Sequence, residues 1–140
     1  MTRAAVSAKT PFHFKLDSGS GVPVYRQLID QVQAGLASGT LAAGDQLPTV
    51  RQVAVDLAIN PNTVLRAYRE LEIRGTLDSQ QGTGTFIADR KIKPDEAERR
   101  RRLEQMVNEF VARAGAGGFT VGDLAEALSE RMADSERRRK

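Results

Sequence analysis

Thr49-Val50-Arg51-Gln52-Val53-Ala54-Val55-Asp56-Leu57-Ala58-Ile59-Asn60-Pro61-Asn62-Thr63-Val64-Leu65-Arg66-Ala67-Tyr68-Arg69-Glu70-Leu71 is the stretch that decides the fold. Thr49 is followed three residues later by Gln52, a capping box in which each side chain satisfies a free backbone N–H at a helix start. Val50, Val53, Ala54 and Leu57 then form the inward side of a short helix. Ala58-Ile59-Asn60 is a tight connection. Asn60 caps the next helix, with Pro61 in its first position, where a missing N–H costs nothing. Val64, Ala67, Tyr68 and Leu71 follow at i, i+3, i+4 and i+7, the spacing of a core-facing stripe. Two short amphipathic helices on a tight turn make a helix-turn-helix.

Upstream, Pro23 opens a helix whose stripe is Val24, Leu28, Val32 and Leu36, flanked by Tyr25 and Ile29, and Gly39 stops it. Before it, Phe12, Phe14 and Leu16 alternate with His13 and Lys15, the pattern of a short edge strand. Residues 1–11 read as a flexible arm. Downstream, Gly75 ends the third helix, and residues 76–80 and 85–88 read as two strands. They are joined by Gln81-Gly82-Thr83-Gly84, whose glycines permit the positive φ of a hairpin. The fold class is therefore mainly α with a small β-hairpin: a winged helix-turn-helix over residues 12–89.

Beyond it, residues 90–93 are a charged linker, and residues 94–133 form a two-helix C-terminal dimerisation segment. A long helix over 94–114 carries Leu103, Met106, Val107, Phe110, Val111 and Ala114 on one stripe, and Gly115, Gly117 and Gly118 break it. Thr120 with Asp123 caps a last helix, with Phe119 placed to staple onto Leu124 and with Val121, Leu124, Leu128 and Met132 as its apolar positions. Residues 134–140 read as a disordered charged tail. Two such helices cannot bury their own stripes. A homodimer interface through Leu103, Met106, Val107, Phe110, Val111, Leu124 and Leu128 is the economical answer; the alternative is packing back onto the winged helix.

The chain has 140 residues, a net charge of +3, a mean hydropathy of −0.41, no cysteine and one histidine, His13. Disulfides, thiolate metal sites and cysteine nucleophiles are thereby excluded, no carboxylate cluster has acid–base or metal spacing, and an enzyme is not expected. No cofactor, metal or membrane partner is expected either. No apolar run approaches the ~20 residues that span a bilayer, and the N-terminus lacks a signal-peptide core, so the expected compartment is the cytoplasm. The positive balance suits an anionic partner.

Opposite the core stripe of the third helix lie Asn62, Arg66, Arg69 and Ile73. Asn62, Thr63 and Arg66 occupy its first turns, the part of a recognition helix that reaches base edges. Asn pairs with adenine, Arg with guanine, and the Thr63 methyl suits a thymine methyl. Arg51 stands beside backbone N–H groups that favour a phosphate. The hairpin tip at Gln81, Gly82 and Thr83 lets backbone approach a groove. The expected partner is an operator in double-stranded DNA. The rival is a winged-helix protein-interaction module without sequence-specific DNA binding, which would want an acidic or apolar third-helix face; Arg66 and Arg69 argue against it. The run from Arg99 to Arg102 reads as a solvated helix start, with contact to backbone phosphate as the alternative.

Pro23-Val24-Tyr25-Arg26-Gln27-Leu28, Gly39-Thr40-Leu41, Gly44-Asp45-Gln46-Leu47-Pro48-Thr49-Val50-Arg51, Asn60-Pro61-Asn62-Thr63-Val64, Arg66-Ala67-Tyr68-Arg69-Glu70-Leu71-Glu72 and Gly82-Thr83-Gly84-Thr85-Phe86 succeed one another in order. Together they resemble the GntR family of bacterial regulators, specifically its short YtrA-like branch, over residues 12–88. The resemblance implies a dimeric repressor on a pseudo-palindromic operator, often near transporter genes, with Arg51, Asn62, Thr63, Arg66 and the wing around Gly82 toward DNA. Pro61 and Leu65 stand where other branches carry basic residues, so those contacts do not transfer. If a small-molecule effector exists, the dimer interface is one place expected to hold it.

Overall fold

The computed structural model describes residues 11–89 and 95–139, with side chains to residue 137. The expected arm up to residue 10, the linker at 90–93 and the helix start at Pro94 lie outside the described residues. The chain divides into two compact units at Arg90.

In the first unit, α1 (Val24–Ser38) begins directly after Pro23, which sits one residue earlier than expected, as the N-cap. Its carbonyl accepts from the N–H groups of Arg26 and Gln27. Gly39 ends the helix at φ 81°, a conformation that glycine takes without strain. Leu28, Ile29 and Val32 are fully buried on its inner side. One turn further, Gly35 leaves room for Leu41 and Phe12 to press against the helix backbone.

α2 (Val50–Leu57) carries the expected capping box: Gln52 N–H donates to Thr49 Oγ1 at 3.1 Å, and Thr49 N–H to Gln52 Oε1 at 2.9 Å. Ala58 ends it in the left-handed region at φ 54°, ψ 49°, the one non-glycine positive φ among the described residues. α3 (Pro61–Ile73) follows, capped by Asn60 Oδ1 accepting from Asn62 N–H at 2.8 Å. Val64, Ala67, Tyr68 and Leu71 are buried at 2% exposure or less, so the core stripe lies where its spacing puts it. The Tyr68 hydroxyl donates to the Pro48 carbonyl at 2.6 Å, tying α3 to the entry of α2. Burial pushes this phenol well above the usual tyrosine range.

β2 (Leu77–Gln80) and β3 (Gly84–Ile87) pair antiparallel, with Leu77 opposite Ile87 and Gln80 opposite Gly84. A further strand was not expected: β1 (Gln46–Leu47) lies on the other edge of β3, giving the order β1-β3-β2. Residues 12–16, by contrast, join no strand, which corrects the reading of an edge strand there. Their alternation is real, with Phe14 buried and Phe12 and Leu16 against the same core. The partner is a side chain: the Gln31 amide accepts from Lys15 N–H at 2.9 Å and donates to Lys15 O at 2.6 Å, doing what a neighbouring strand would do.

In the second unit, α4 (Glu96–Ala116) is capped by Asp95, whose Oδ1 accepts from Ala97 N–H at 3.0 Å. α5 (Val121–Arg139) opens on the expected capping box between Thr120 and Asp123. It does not stop before Asp134. The stretch expected to be disordered is helical to Arg139, because Ala133, Glu136 and the arginines are good helix formers and Arg137 pairs with Asp134 across one turn. Phe119, expected to staple onto Leu124, remains 61% exposed. Among the described residues, no helix is long and apolar enough to cross a membrane.

Candidate nucleic-acid interface

Because Val64, Ala67, Tyr68 and Leu71 are drawn into the core, helical geometry turns Asn62, Leu65, Arg66, Arg69 and Ile73 outward. With Glu70 they line one open depression along α3. Asn62, Arg66 and Arg69 are exposed, and Thr63 is half-buried beside the cap. Glu70 is engaged by Arg74 at 3.0 Å, an i,i+4 pair that balances the one acid in the depression.

Arg66 does not extend freely into solvent. Its guanidinium carbon lies 3.8 Å from the centroid of the Tyr25 ring, a cation–π contact between α3 and the first turn of α1. Sequence reading counted Tyr25 only as a flank of the α1 stripe. No local signal could have paired it with Arg66, since the contact exists only once α1 packs on α3.

Arg51 is exposed in the first turn of α2, where the leading N–H groups and the helix dipole favour negative charge. At the hairpin tip, Gln81, Gly82 and Thr83 are all exposed. Gly82 holds φ 79° with open space where a Cβ would stand, so backbone is what the tip presents. Gly84 is different: a Cβ there would lie 2.5 Å from Gln46 Nε2, which donates to Thr83 O at 3.2 Å and steadies the tip from β1. Gln46 is a further residue that sequence reading passed over.

In the second unit, Leu103, Met106, Val107 and Phe110 run along one side of α4 with exposures from 48% to 64%, and Val111 is half-buried. On α5, Leu128 and Met132 are exposed and Leu124 is half-buried. Both apolar ribbons are largely open in the single chain. Among the described residues, no group of three or more histidine, cysteine or acidic side chains could hold a metal.

Residues 24–87 match the family model described as bacterial regulatory proteins, gntR family. The HTH-type transcriptional repressor YtrA of Bacillus subtilis (strain 168) is 31% identical over 86% of this chain and 92% of its own length. Among solved structures, YtrA from Sulfolobus acidocaldarius, a GntR-family transcription factor, aligns with a TM-score of 0.52 at 28% identity, over 75% of this chain and 99% of that one. A transcriptional antiterminator from Listeria monocytogenes EGD-e aligns with a TM-score of 0.66 at 25% identity, over 90% of this chain and 94% of that one. Both alignments extend over three quarters or more of this chain.

Proposed function

Since the chain belongs to the gntR family of bacterial regulatory proteins, we propose that it is a repressor that binds a pseudo-palindromic DNA operator as a homodimer, with α3 in the major groove. The observation that carries this reading is the outward face of α3, where Asn62, Arg66 and Arg69 share one depression. Asn62 offers the donor–acceptor pair that matches adenine N7 and N6, and Arg66 the paired donors that match guanine O6 and N7. The Thr63 methyl can meet a thymine methyl. Arg69, a turn further along, is better placed for phosphate, as is Arg51 at the start of α2. Gln81, Gly82 and Thr83 bring hairpin backbone to the adjacent groove.

Dimerisation is assigned to the ribbon of Leu103, Met106, Val107, Phe110 and Val111, with Leu124 and Leu128 of α5. Its support is the exposure of side chains that a single chain gains nothing by leaving in water. For a small-molecule effector, that interface is one place to bind. Control of a transporter operon accords with the likeness to the YtrA-like branch, and so does residence in the cytoplasm. Repression accords with the repressor of B. subtilis.

Selection from randomised duplexes tests the reading. Arg66→Ala should weaken binding by roughly 1–3 kcal/mol and relax preference at one base position per half-site, while Arg69→Ala should weaken all sequences about equally. Log affinity should fall linearly with log salt, at about −0.9 per phosphate neutralised. A flat salt response, or the same selection profile for both variants, refutes the assignment.

A further inference from the structure

We propose that Tyr25 is a positioning residue for base recognition: its ring holds the Arg66 guanidinium and thereby sets where that group meets DNA. The inference rests on the reading of Arg66 as a base contact and adds a residue on a different helix, one that need not touch DNA itself.

Three observations carry it. The Arg66 guanidinium carbon lies 3.8 Å from the Tyr25 ring centroid, within the distance at which the ring quadrupole attracts a cation. The ring is not loose: Tyr25 is half-buried and packs against the core built around Leu28, Ile29 and Val64. Arg66, for its part, stands on the exposed side of α3 in the same depression as Asn62 and Arg69. A guanidinium is planar, and its N–H donors point outward in that plane. A ring that holds the guanidinium carbon at this distance removes much of the rotamer freedom of a long side chain, and with the two planes stacked it would leave the donor edge available. Ordering such a side chain at the moment of binding costs ~0.5–1.5 kcal/mol, and Tyr25 meets that cost beforehand, in the free protein.

The test uses the full-length chain and, as probe, the tightest duplex recovered from a randomised pool by the wild type. Tyr25→Leu removes the ring and keeps an apolar body against the core, and Tyr25→Phe keeps the ring. The expected results are binding roughly 2- to 12-fold weaker for Tyr25→Leu, the factor that corresponds to the ordering cost, and wild-type binding for Tyr25→Phe. The base preference assigned to Arg66 should blur in Tyr25→Leu while the salt slope stays unchanged. In an Arg66→Ala background Tyr25→Leu should have no further effect, whereas a merely structural role for the ring would persist there. An NMR measurement on the wild type alone guards against a poorly folded variant: the Arg66 side-chain protons should be shifted upfield by the ring, relative to those of Arg69. Additive effects in the cycle, or Arg66 protons at the same shifts as those of Arg69, overturn the clamp and leave base reading intact. A wild type that selects no preferred duplex overturns both together.

Discussion

Replacing Tyr68 by phenylalanine removes one oxygen atom from the centre of the first unit, and its effect can be worked out in sign and size. The hydroxyl donates to the Pro48 carbonyl at 2.6 Å, and the ring around it is 2% exposed. Without it the carbonyl loses a donor in a place only partly open to water. A deleted hydrogen bond of this kind costs about 1–2 kcal/mol. At roughly 4–8 °C per kcal/mol for a domain of this size, the melting temperature should fall by about 4–16 °C. Alkaline pH supplies an independent check. Burial raises the Tyr68 phenol above its unfolded value, so the folded state holds the proton more tightly than the unfolded chain. That contribution is complete below about pH 10 and shrinks above it as the unfolded phenol ionises, by roughly 1 kcal/mol at one unit higher. Phenylalanine cannot ionise. The gap between wild type and Tyr68→Phe should therefore be widest near neutrality and nearly closed by about pH 11. Urea titrations followed by circular dichroism from pH 7 to pH 11 would measure it. Equal stability at pH 7, or a gap that stays constant across the series, refutes the reasoning.

Further outcomes are expected elsewhere. In Gly35→Ala the new Cβ would stand 2.9 Å from Leu41 Cδ1 and 3.2 Å from Phe12 Cε1, so overpacking of ~1–3 kcal/mol competes with a helix-propensity gain of ~1 kcal/mol. The net should be a loss of roughly 1 kcal/mol by denaturant titration, and a stabilised variant would show that the pocket yields freely. Thr49→Ala should cost about 1 kcal/mol through the lost N-cap, while Val55→Ala on the exposed side of the same helix should cost little. Phe110→Asp, on the open ribbon of α4, should give a folded monomer by sedimentation, with operator affinity reduced by about 10²-fold or more as avidity is lost. A variant that stays dimeric places the interface elsewhere.

What the sequence made legible is what is local. Thr49 with Gln52, and Thr120 with Asp123, declare helix starts because donor and acceptor sit three residues apart, and both boxes form. Val64, Ala67, Tyr68 and Leu71 point inward because one helix fixes their angles, and that places Asn62, Arg66 and Arg69 on the other side. What failed was anything that depends on an unseen neighbour. Alternation at residues 12–16 reports a side facing the core but not who supplies the hydrogen bonds, and the answer was the Gln31 side chain. β1 is two residues long and exists only because Phe86 and Thr85 are there to pair with it. The contact between Tyr25 and Arg66 likewise needs α1 already docked on α3. The end of α5 differs for a local reason: the charge density of residues 134–140 suits disorder and a solvated helix alike, and the chain is helical to Arg139.

Ala58 ends α2 in a conformation that costs an L-residue about 1–2 kcal/mol relative to the right-handed region. Glycine would remove that penalty, but it would also open the neighbouring conformations to the turn. Alanine's methyl group excludes the other positive-φ conformations, while the surrounding packing holds the residue against its preferred right-handed region. The two helices that meet at this corner carry different parts of the proposed contact, Arg51 toward phosphate and Asn62 with Arg66 toward bases. Val53 and Ala54 of α2 share one core with Val64, Ala67 and Leu71 of α3, so packing sets the angle at this corner and would hold the proposed backbone and base contacts at one separation. On the proposed contacts, a duplex whose groove departs from that separation would have to deform to be bound, and the protein would then sense DNA shape at positions it never touches.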